Sequence, residues 1–324
     1  MGDKYYLTTD IGGTNVEAAL FEADGTMLAN REFPTQEFVD SGVLIELAKQ
    51  AKEMAEEKNV SWKDIVSAGI VAPGVIDPDK GVVFHAPNLK WKDYELKKEA
   101  EEMLGVPVHI DNDVNGGLLG EVYYGAAKGK KNVLLFMIGT SIGAGLLING
   151  EIYRGAHWAS GEVGHMISDP EAATGSFIPI KDGYGFLSSK MGGVAIAHHY
   201  REAKRLDGEV SGEELNRLKA SDVFQFAEEG DKLAQGIIRE GILHMGMAIV
   251  NAAALINPET IVIGGGVAQS GNWFLGKIKS MLEEFVPCPT EVVLAGLKDQ
   301  SPLYGALALC QLMDKEEKVQ AGNG

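Results

Sequence analysis

The sequence predicts an α/β chain of two similar halves, and three observations lead there. Apolar, β-branched runs of strand length alternate with longer segments whose apolar residues recur at helical spacing. A strand, a Gly-Thr-rich turn and a second strand occur twice, around Gly12-Gly13-Thr14 and around Gly139-Thr140-Ser141. That repetition suggests a duplicated fold with a cleft between the halves. The chain has 324 residues, 45% hydrophobic and 23% charged, enough to give two domains their own cores.

Taken in order, residues 5–11 form an apolar strand that ends at Asp10-Ile11-Gly12-Gly13-Thr14, and 16–21 resume as strand. A turn at Ala23-Asp24-Gly25 leads to a third strand over 27–33. Residues 43–57 are an amphipathic helix with Leu44, Leu47, Ala48, Ala51 and Ala55 on one side. A buried strand over 65–71 ends in the turn signal Ala72-Pro73-Gly74. Residues 81–84 are a short strand, 85–91 a polar and aromatic loop containing Asn88, and 95–104 a helix stopped by Gly105. A β-rich run to Ile110 then delivers Asp111-Asn112-Asp113, and a helix follows to about Tyr124.

In the second half, 132–138 is a very apolar strand, followed by the second Gly-Thr turn and a strand resuming at 146–148. Residues 153–165 read as a loop of small residues carrying Glu162 and His165. Helices are predicted over 194–205, in segments up to Glu228, and over the long apolar stretch 234–255. A strand at 260–263 opens into Gly264-Gly265-Gly266, with a helix from Trp273, a last strand at 291–294 and a last helix at 302–313. The tail after Lys315 is predicted to fray.

The formal net charge of -17 argues against nucleic acid and anionic lipid as partners. The two cysteines, Cys288 and Cys310, form neither a metal spacing nor a disulfide framework, which fits a reducing compartment. The first residues lack an apolar signal core, and no stretch approaches the ~18 apolar residues of a membrane span. A cytoplasmic protein without membrane partners is predicted.

The 41 glycines are more informative, because they cluster at strand ends, where another group must approach backbone closely. Two consecutive glycines expose N–H groups that can cradle a phosphate, and the Thr14 hydroxyl adds a donor. Asp10 stands where a Mg²⁺ and its waters could accompany that phosphate. The spacing is not that of a P-loop. At Asp111-Asn112-Asp113 one side chain suffices to cap the new helix, leaving two for other work. A carboxylate there could accept a proton from a bound hydroxyl. Asn88 offers both donors and acceptors to a hydroxylated ligand.

Together and in this order, these motifs resemble the ROK family of sugar kinases and sugar-responsive repressors, within the actin-like, hexokinase-like superfamily. The resemblance runs from Asp10-Ile11-Gly12-Gly13-Thr14 to the C-terminal helix. It implies a two-domain actin-like ATPase fold of ribonuclease-H-like topology, with a mixed sheet in each domain and ATP and sugar meeting between them. The small domain would span 1–116, with helix 302–315 packing on it, and the large domain 117–301. Asp113 would be the catalytic base. Asn88, Asn112, Glu162, His165, Gly74 and Ser188 would line the sugar site. Gly12, Gly13, Thr14, Thr140, Ser141 and Gly143 would hold phosphate, Gly265 and Gly266 the adenosine side, and Asp10 the Mg²⁺ of ATP. A homodimer or homotetramer is expected.

One region departs from the family pattern. Most members carry CxCGxxGCxE after the His, three cysteines that bind zinc with it; here Pro179, Lys181 and Phe186 take their places. A structural zinc needs about four ligands and only His165 remains, so no zinc site is expected. Ser188 replaces a sugar-binding Glu. A hydrogen bond to a charged group is worth about 1.5–3 kcal/mol, roughly ten- to a hundredfold in affinity, enough to change the preferred sugar. The expected function is an ATP-dependent hexose kinase acting on a 6-hydroxyl, with glucose leading. The alternatives are a polyphosphate-dependent glucokinase and a non-catalytic, sugar-binding regulatory protein. Family repressors place a helix-turn-helix before the kinase-like part, and with the first glycine turn starting at Asp10 none is expected here.

Overall fold

The computed structural model describes residues 4–39, 42–175, 177, 180, 185–207, 212–267 and 272–322. The chain forms two compact units, one of Met1–Gly129, Arg154–Ala159 and Gln300–Gly324, the other of Lys130–Tyr153 and Ser160–Asp299. The first unit thus continues past position 116 to take in a whole helix.

In the first unit, β1 (Tyr5–Ile11), β2 (Asn15–Glu22) and β3 (Met27–Pro34) form an antiparallel meander, and the single turn α1 (Thr35–Phe38) and helix α2 (Val43–Glu57) follow. After β4 (Ile65–Ala72), a small antiparallel sheet is made by β5 (Val75–Asp77), β6 (Val82–Ala86) and β7 (Trp91–Tyr94). Helix α3 (Leu96–Leu104), strand β8 (Val108–Asn112) and helix α4 (Asp113–Tyr123) complete this part. The main sheet has the order β3-β2-β1-β4-β8, with β4 parallel to β1 and β8 parallel to β4.

The apolar face predicted for α2 is buried, and Leu47 and Met54 meet Leu7, Ile70, Leu96 and Ile110 in the core. The loop expected over 85–91 is instead the end of β6, a 3-10 turn over Pro87–Leu89 and the start of β7. Ala86 and Leu89 are each 1% exposed, and Trp91 stacks on Tyr94 with ring centroids 4.6 Å apart. Burial of those groups draws the segment into a second layer, which local polarity did not announce.

The C-terminal helix Ser301–Gly322 continues through the region expected to fray. It crosses α4 backbone to backbone. A Cβ on Gly305 would lie 1.7 Å from the Gly116 carbonyl oxygen, and one on Gly120 would lie 2.1 Å from that of Ser301. Behind them, Gly69 of β4 comes equally close to Ala306. Within this contact the buried Glu121 carboxylate accepts hydrogen bonds from Ser301 Oγ and the Ala126 N–H, each 2.7 Å long.

The second unit repeats the plan. Strands β9 (Val133–Ile138), β10 (Ile142–Ile148) and β11 (Glu151–Ile152) are antiparallel. Helices α5 (Gly185–Met191), α6 (Gly193–Asp207), α7 (Gly212–Arg217), α8 (Ala220–Glu228) and α9 (Lys232–Ile256) lead to β12 (Thr260–Gly264), α10 (Asn272–Phe285) and β13 (Glu291–Leu294). The sheet order is β11-β10-β9-β12-β13, with β12 parallel to β9 and β13 parallel to β12. Order and strand directions match the first sheet, as the repeated hairpin predicts. Helix α9 is capped by Asp231, whose carboxylate accepts the Leu233 and Ala234 N–H groups. It ends at Asn257 in the left-handed conformation. Among the described residues, no helix is long and apolar enough to cross a membrane.

Gly305→Ala is expected to cost about 1–3 kcal/mol, because the added methyl must push two helix backbones apart. A urea titration would register this as a lowered midpoint, and an unchanged midpoint would contradict the close crossing.

Candidate functional site

In the first unit the three polar residues where β8 passes into α4 separate into three jobs. Asn112 is the cap: its Oδ1 accepts the N–H groups of Val114 at 2.9 Å and Asn115 at 3.3 Å. Its Nδ2 donates to the Gly74 carbonyl at 3.0 Å. With both lone pairs of Oδ1 engaged, Asn112 has one amide hydrogen left for a ligand. Asp111 is structural. Buried to 1% exposure, it accepts from its neighbour's N–H (Asn112, 2.8 Å) and from Asn115 Nδ2 at 2.9 Å, and pairs with Arg154. Asp113 opens α4, half-buried, with the Val114 N–H 2.9 Å from its carboxylate.

Gly74, expected to touch the sugar, has φ +112°, and a Cβ there would lie 2.3 Å from the His85 carbonyl oxygen. Glycine is therefore required at that position for the backbone alone. Its carbonyl serves as the acceptor that orients Asn112.

The first glycine turn joins β1 to β2, and its carbonyls are all engaged within the protein. Gly12 O accepts Thr35 Oγ1 at 2.7 Å, Gly13 O accepts Gln36 Nε2 at 2.9 Å, and Thr14 O accepts the Thr35 N–H at 2.8 Å. The Gly12 N–H closes the turn on Asn15 O at 2.9 Å, so what the turn retains for an anion is the amide hydrogens of Gly13 and Thr14 and the exposed Thr14 side chain. Asn88 lies against it: a Cβ on Gly13 would sit 3.3 Å from Asn88 Nδ2, and Gln36 also reaches the Asn88 carbonyl at 3.4 Å. Thr35 and Gln36 escaped the sequence reading. Their only signal is a Thr-Gln pair after Pro34, which looks like an ordinary helix start.

Asp10, at the end of β1, is partly exposed as a residue, yet its Oδ1 is enclosed with no hydrogen-bond partner. Burial, then the nearby Asp113 and Glu17 carboxylates, push its pKa up from 3.8 to about 8. An orphaned buried oxygen among like charges suits a hard cation such as Mg²⁺, which takes one or two carboxylates and otherwise keeps its waters.

The second unit uses the same device on its own turn. Gly139 O accepts the Gly193 N–H at 2.8 Å and Thr140 O the Val194 N–H at 3.4 Å, so the start of α6 draws the carbonyls back. Thr140 is exposed, Ser141 is half-buried, and Gly143 pairs with Met137 across the hairpin. The same strand end receives the second glycine motif. Gly265, at φ +88°, would place a Cβ 2.5 Å from Ile138 O, the carbonyl that accepts the Val267 N–H at 3.1 Å. Open space surrounds the Cβ position of Gly266. The turn at 139–141 and Gly265-Gly266 thus converge around Ile138.

Ser188 is a correction. It is 2% exposed on α5, and its hydroxyl accepts the Ile142 N–H at 3.1 Å. It braces the turn from inside and has no face to offer a sugar. Glu162 and His165 both stand exposed on a 3-10 turn, with the His165 N–H donating to Glu162 O at 3.1 Å. The turn is bolted down by the Ala144 N–H, which donates to Gly161 O at 2.8 Å. Of the positions expected in place of the cysteines, Phe186 is buried, while Pro179 and Lys181 lie outside the described residues.

Comparison with known proteins places these features in a lineage. The ROK family model matches residues 6–312. This chain belongs to the ROK family. It is 34% identical to a glucokinase of Halalkalibacterium halodurans over 336 aligned positions, covering 100% of this chain and 99% of the relative. Among solved structures, it resembles the ROK hexokinase of Thermus thermophilus with a TM-score of 0.79 and 24% identity, covering 96% and 99% of the two chains. It also resembles a ROK glucokinase of Streptomyces griseus solved with glucose and AMPPNP, with a TM-score of 0.77, 24% identity, and 96% and 100% coverage. The fold of the ROK chain is accordingly the two-domain actin-like ATPase fold.

Two stability measurements test this electrostatic arrangement. Arg154→Ala leaves the buried Asp111 carboxylate without its cation and is expected to cost roughly 3 kcal/mol in denaturant titration. Asp10 carries the opposite sign. Its folded pKa lies above the unfolded value, so the folded state binds the extra proton between about pH 4 and 8 and loses stability as pH rises. Asp10→Asn removes that slope, so the metal-free variant should gain on the parent at pH 8 relative to pH 4. Parallel stability–pH curves for the two would refute the raised pKa.

Proposed function

We infer that this chain is a sugar kinase that transfers the γ-phosphoryl group of ATP to the 6-hydroxyl of a hexose, with glucose the leading substrate. The observation that carries the reading is the Asp113 carboxylate at the start of α4, one residue past the capped end of β8 and beside the partnerless Asp10. Family membership and full-length similarity to a glucokinase support the reaction class.

Phosphoryl transfer has a loose transition state with charge on the phosphate oxygens, so the protein's contribution is positioning and electrostatics. Asp113 takes the proton from the attacking hydroxyl. Its place is fixed by the cap at Asn112 and the Asp111–Arg154 pair behind it. Asn112 donates its remaining amide hydrogen to a sugar oxygen, and Asn88, Glu162 and His165 read other hydroxyls. The amide hydrogens of Gly13 and Thr14 in the first turn, which Gly12 closes, and of Thr140 and Ser141 in the second hold phosphate oxygens, with Gly143 behind the second turn. Gly265 and Gly266 admit the adenosine side against bare backbone. A Mg²⁺ bound with the nucleotide would be held from the Asp10 side and would neutralise phosphate charge.

Purified protein assayed for ADP release against glucose, mannose, fructose, allose and N-acetylated hexosamines, with ATP and polyphosphate as parallel donors, tests the reading. Turnover on a hexose with ATP supports it, and absence of turnover on every sugar overturns it. Asp113→Asn is expected to lower kcat by about 10²–10⁴-fold while sugar affinity stays within about tenfold. Near-full kcat in this variant would reduce Asp113 to a helix-start residue.

A further inference from the structure

The segment that carries Glu162 and His165 is fixed at both ends inside the second unit. At its start, Gly161 O accepts the Ala144 N–H, and Gly161 adopts φ +89° so closely against β10 that a Cβ would lie 1.7 Å from Ala144 O. At its far end, Ser168 Oγ lies 2.8 Å from Nδ1 of His244, a residue of α9. Between these anchors, Val163 and Met166 rest on the core, and the backbone bonds are those of the 3-10 turn itself.

His244 is 9% exposed and is gripped from three elements. Its ring stands edge-on to Phe186 of α5, with centroids 5.5 Å apart. Lys190 Nζ of α5 lies over the Phe186 ring, 5.8 Å from its centroid, and 2.9 Å from Glu240 Oε1. Glu240, one turn before His244 on α9, is 3.8 Å from its Nε2, and Asp169 follows Ser168 on the loop. Burial, then Lys190, lower the His244 pKa against the pull of Glu240 and Asp169. A neutral imidazole held this firmly is a fixed hydrogen-bonding post.

We propose that the Ser168–His244 hydrogen bond is the latch that sets the Glu162–His165 segment, making His244 and Ser168 positioning residues for sugar recognition although neither bears on the sugar itself. This rests on the sugar-kinase reading for its functional consequence. The latch lowers the apparent KM for sugar because ligand binds only the fraction of molecules whose reading segment is set. It has no such leverage on the nucleotide.

Three variants separate the latch from mere core packing: Ser168→Ala, which removes the hydroxyl; His244→Phe, which keeps a buried ring without the nitrogen; and His244→Asn, which can return a polar atom near the Nδ1 position. Amide hydrogen exchange over 160–168 and the sugar and ATP kinetics are measured for each. Ser168→Ala and His244→Phe are each expected to speed exchange in that segment and raise the sugar KM about fivefold, the factor an ordinary hydrogen bond carries. The KM for ATP stays within twofold, the double variant is no worse than either single one, and His244→Asn recovers part of the loss. Unchanged exchange, or a lowered Tm with an unchanged sugar KM, overturns the latch. A parent protein that turns over no sugar overturns the kinase reading instead, and the exchange result still decides whether the latch exists.

Discussion

A single buried carboxylate organises the junction of β8 and α4 in the first unit. Asp111 gathers the Asn112 N–H, the Asn115 side chain and the Arg154 guanidinium around one enclosed group. A charge at 1% exposure is tolerable only with such company, so the company is obligatory. Once Asp111 is fixed, strand β8 must stop, Asn112 must cap, and Asp113 must begin the helix. Arg154 arrives from a short segment that returns to this unit between two stretches of the other. The start of α4 is thereby braced by a residue some forty positions downstream.

A second constraint recurs in both units. Glycine turns useful to an anion must not present carbonyl oxygens to it, since an oxygen's partial negative charge would oppose binding. The first turn has its carbonyls drawn back by Thr35 and Gln36. The second has its carbonyls drawn back by the opening residues of α6 and is braced from below by Ser188. Different residues reach the same end, because a backbone acceptor can be satisfied by side-chain hydroxyl, amide or main-chain N–H alike. The repeated sheet order gives both turns the same setting, at the end of a strand between an antiparallel and a parallel neighbour.

Close backbone approach supplies the stiffness beneath. Gly120 and Gly305 let α4 and the C-terminal helix touch main chain to main chain, and Gly116 seats α4 against Val71 of β4, so the helix bearing Asp113 is buttressed on two sides. These small residues belong to packing, unlike the glycines of the turns, which the sequence presents in similar clusters.

What the sequence determined by itself was whatever short-range chemistry writes locally. Apolar periodicity located α2, α4, α9 and the central strands within a few residues, and the doubled Gly-Thr hairpin announced the duplicated sheet. The placing of Asp10, Asp113 and the glycines of both turns at strand ends was legible because such ends call for residue types that strand interiors disfavour. Tertiary structure alone decided the rest. It divided Asp111, Asn112 and Asp113 among buried ion pair, helix cap and half-buried first residue of α4, because burial and the distant Arg154 distinguish them and local spacing cannot. It turned Ser188 inward, since a helix register slight enough to escape sequence patterning sets whether a hydroxyl meets a ligand or a backbone amide. And it recruited Thr35, Gln36, Ser168 and His244, common residues whose roles exist only through partners far away in the chain.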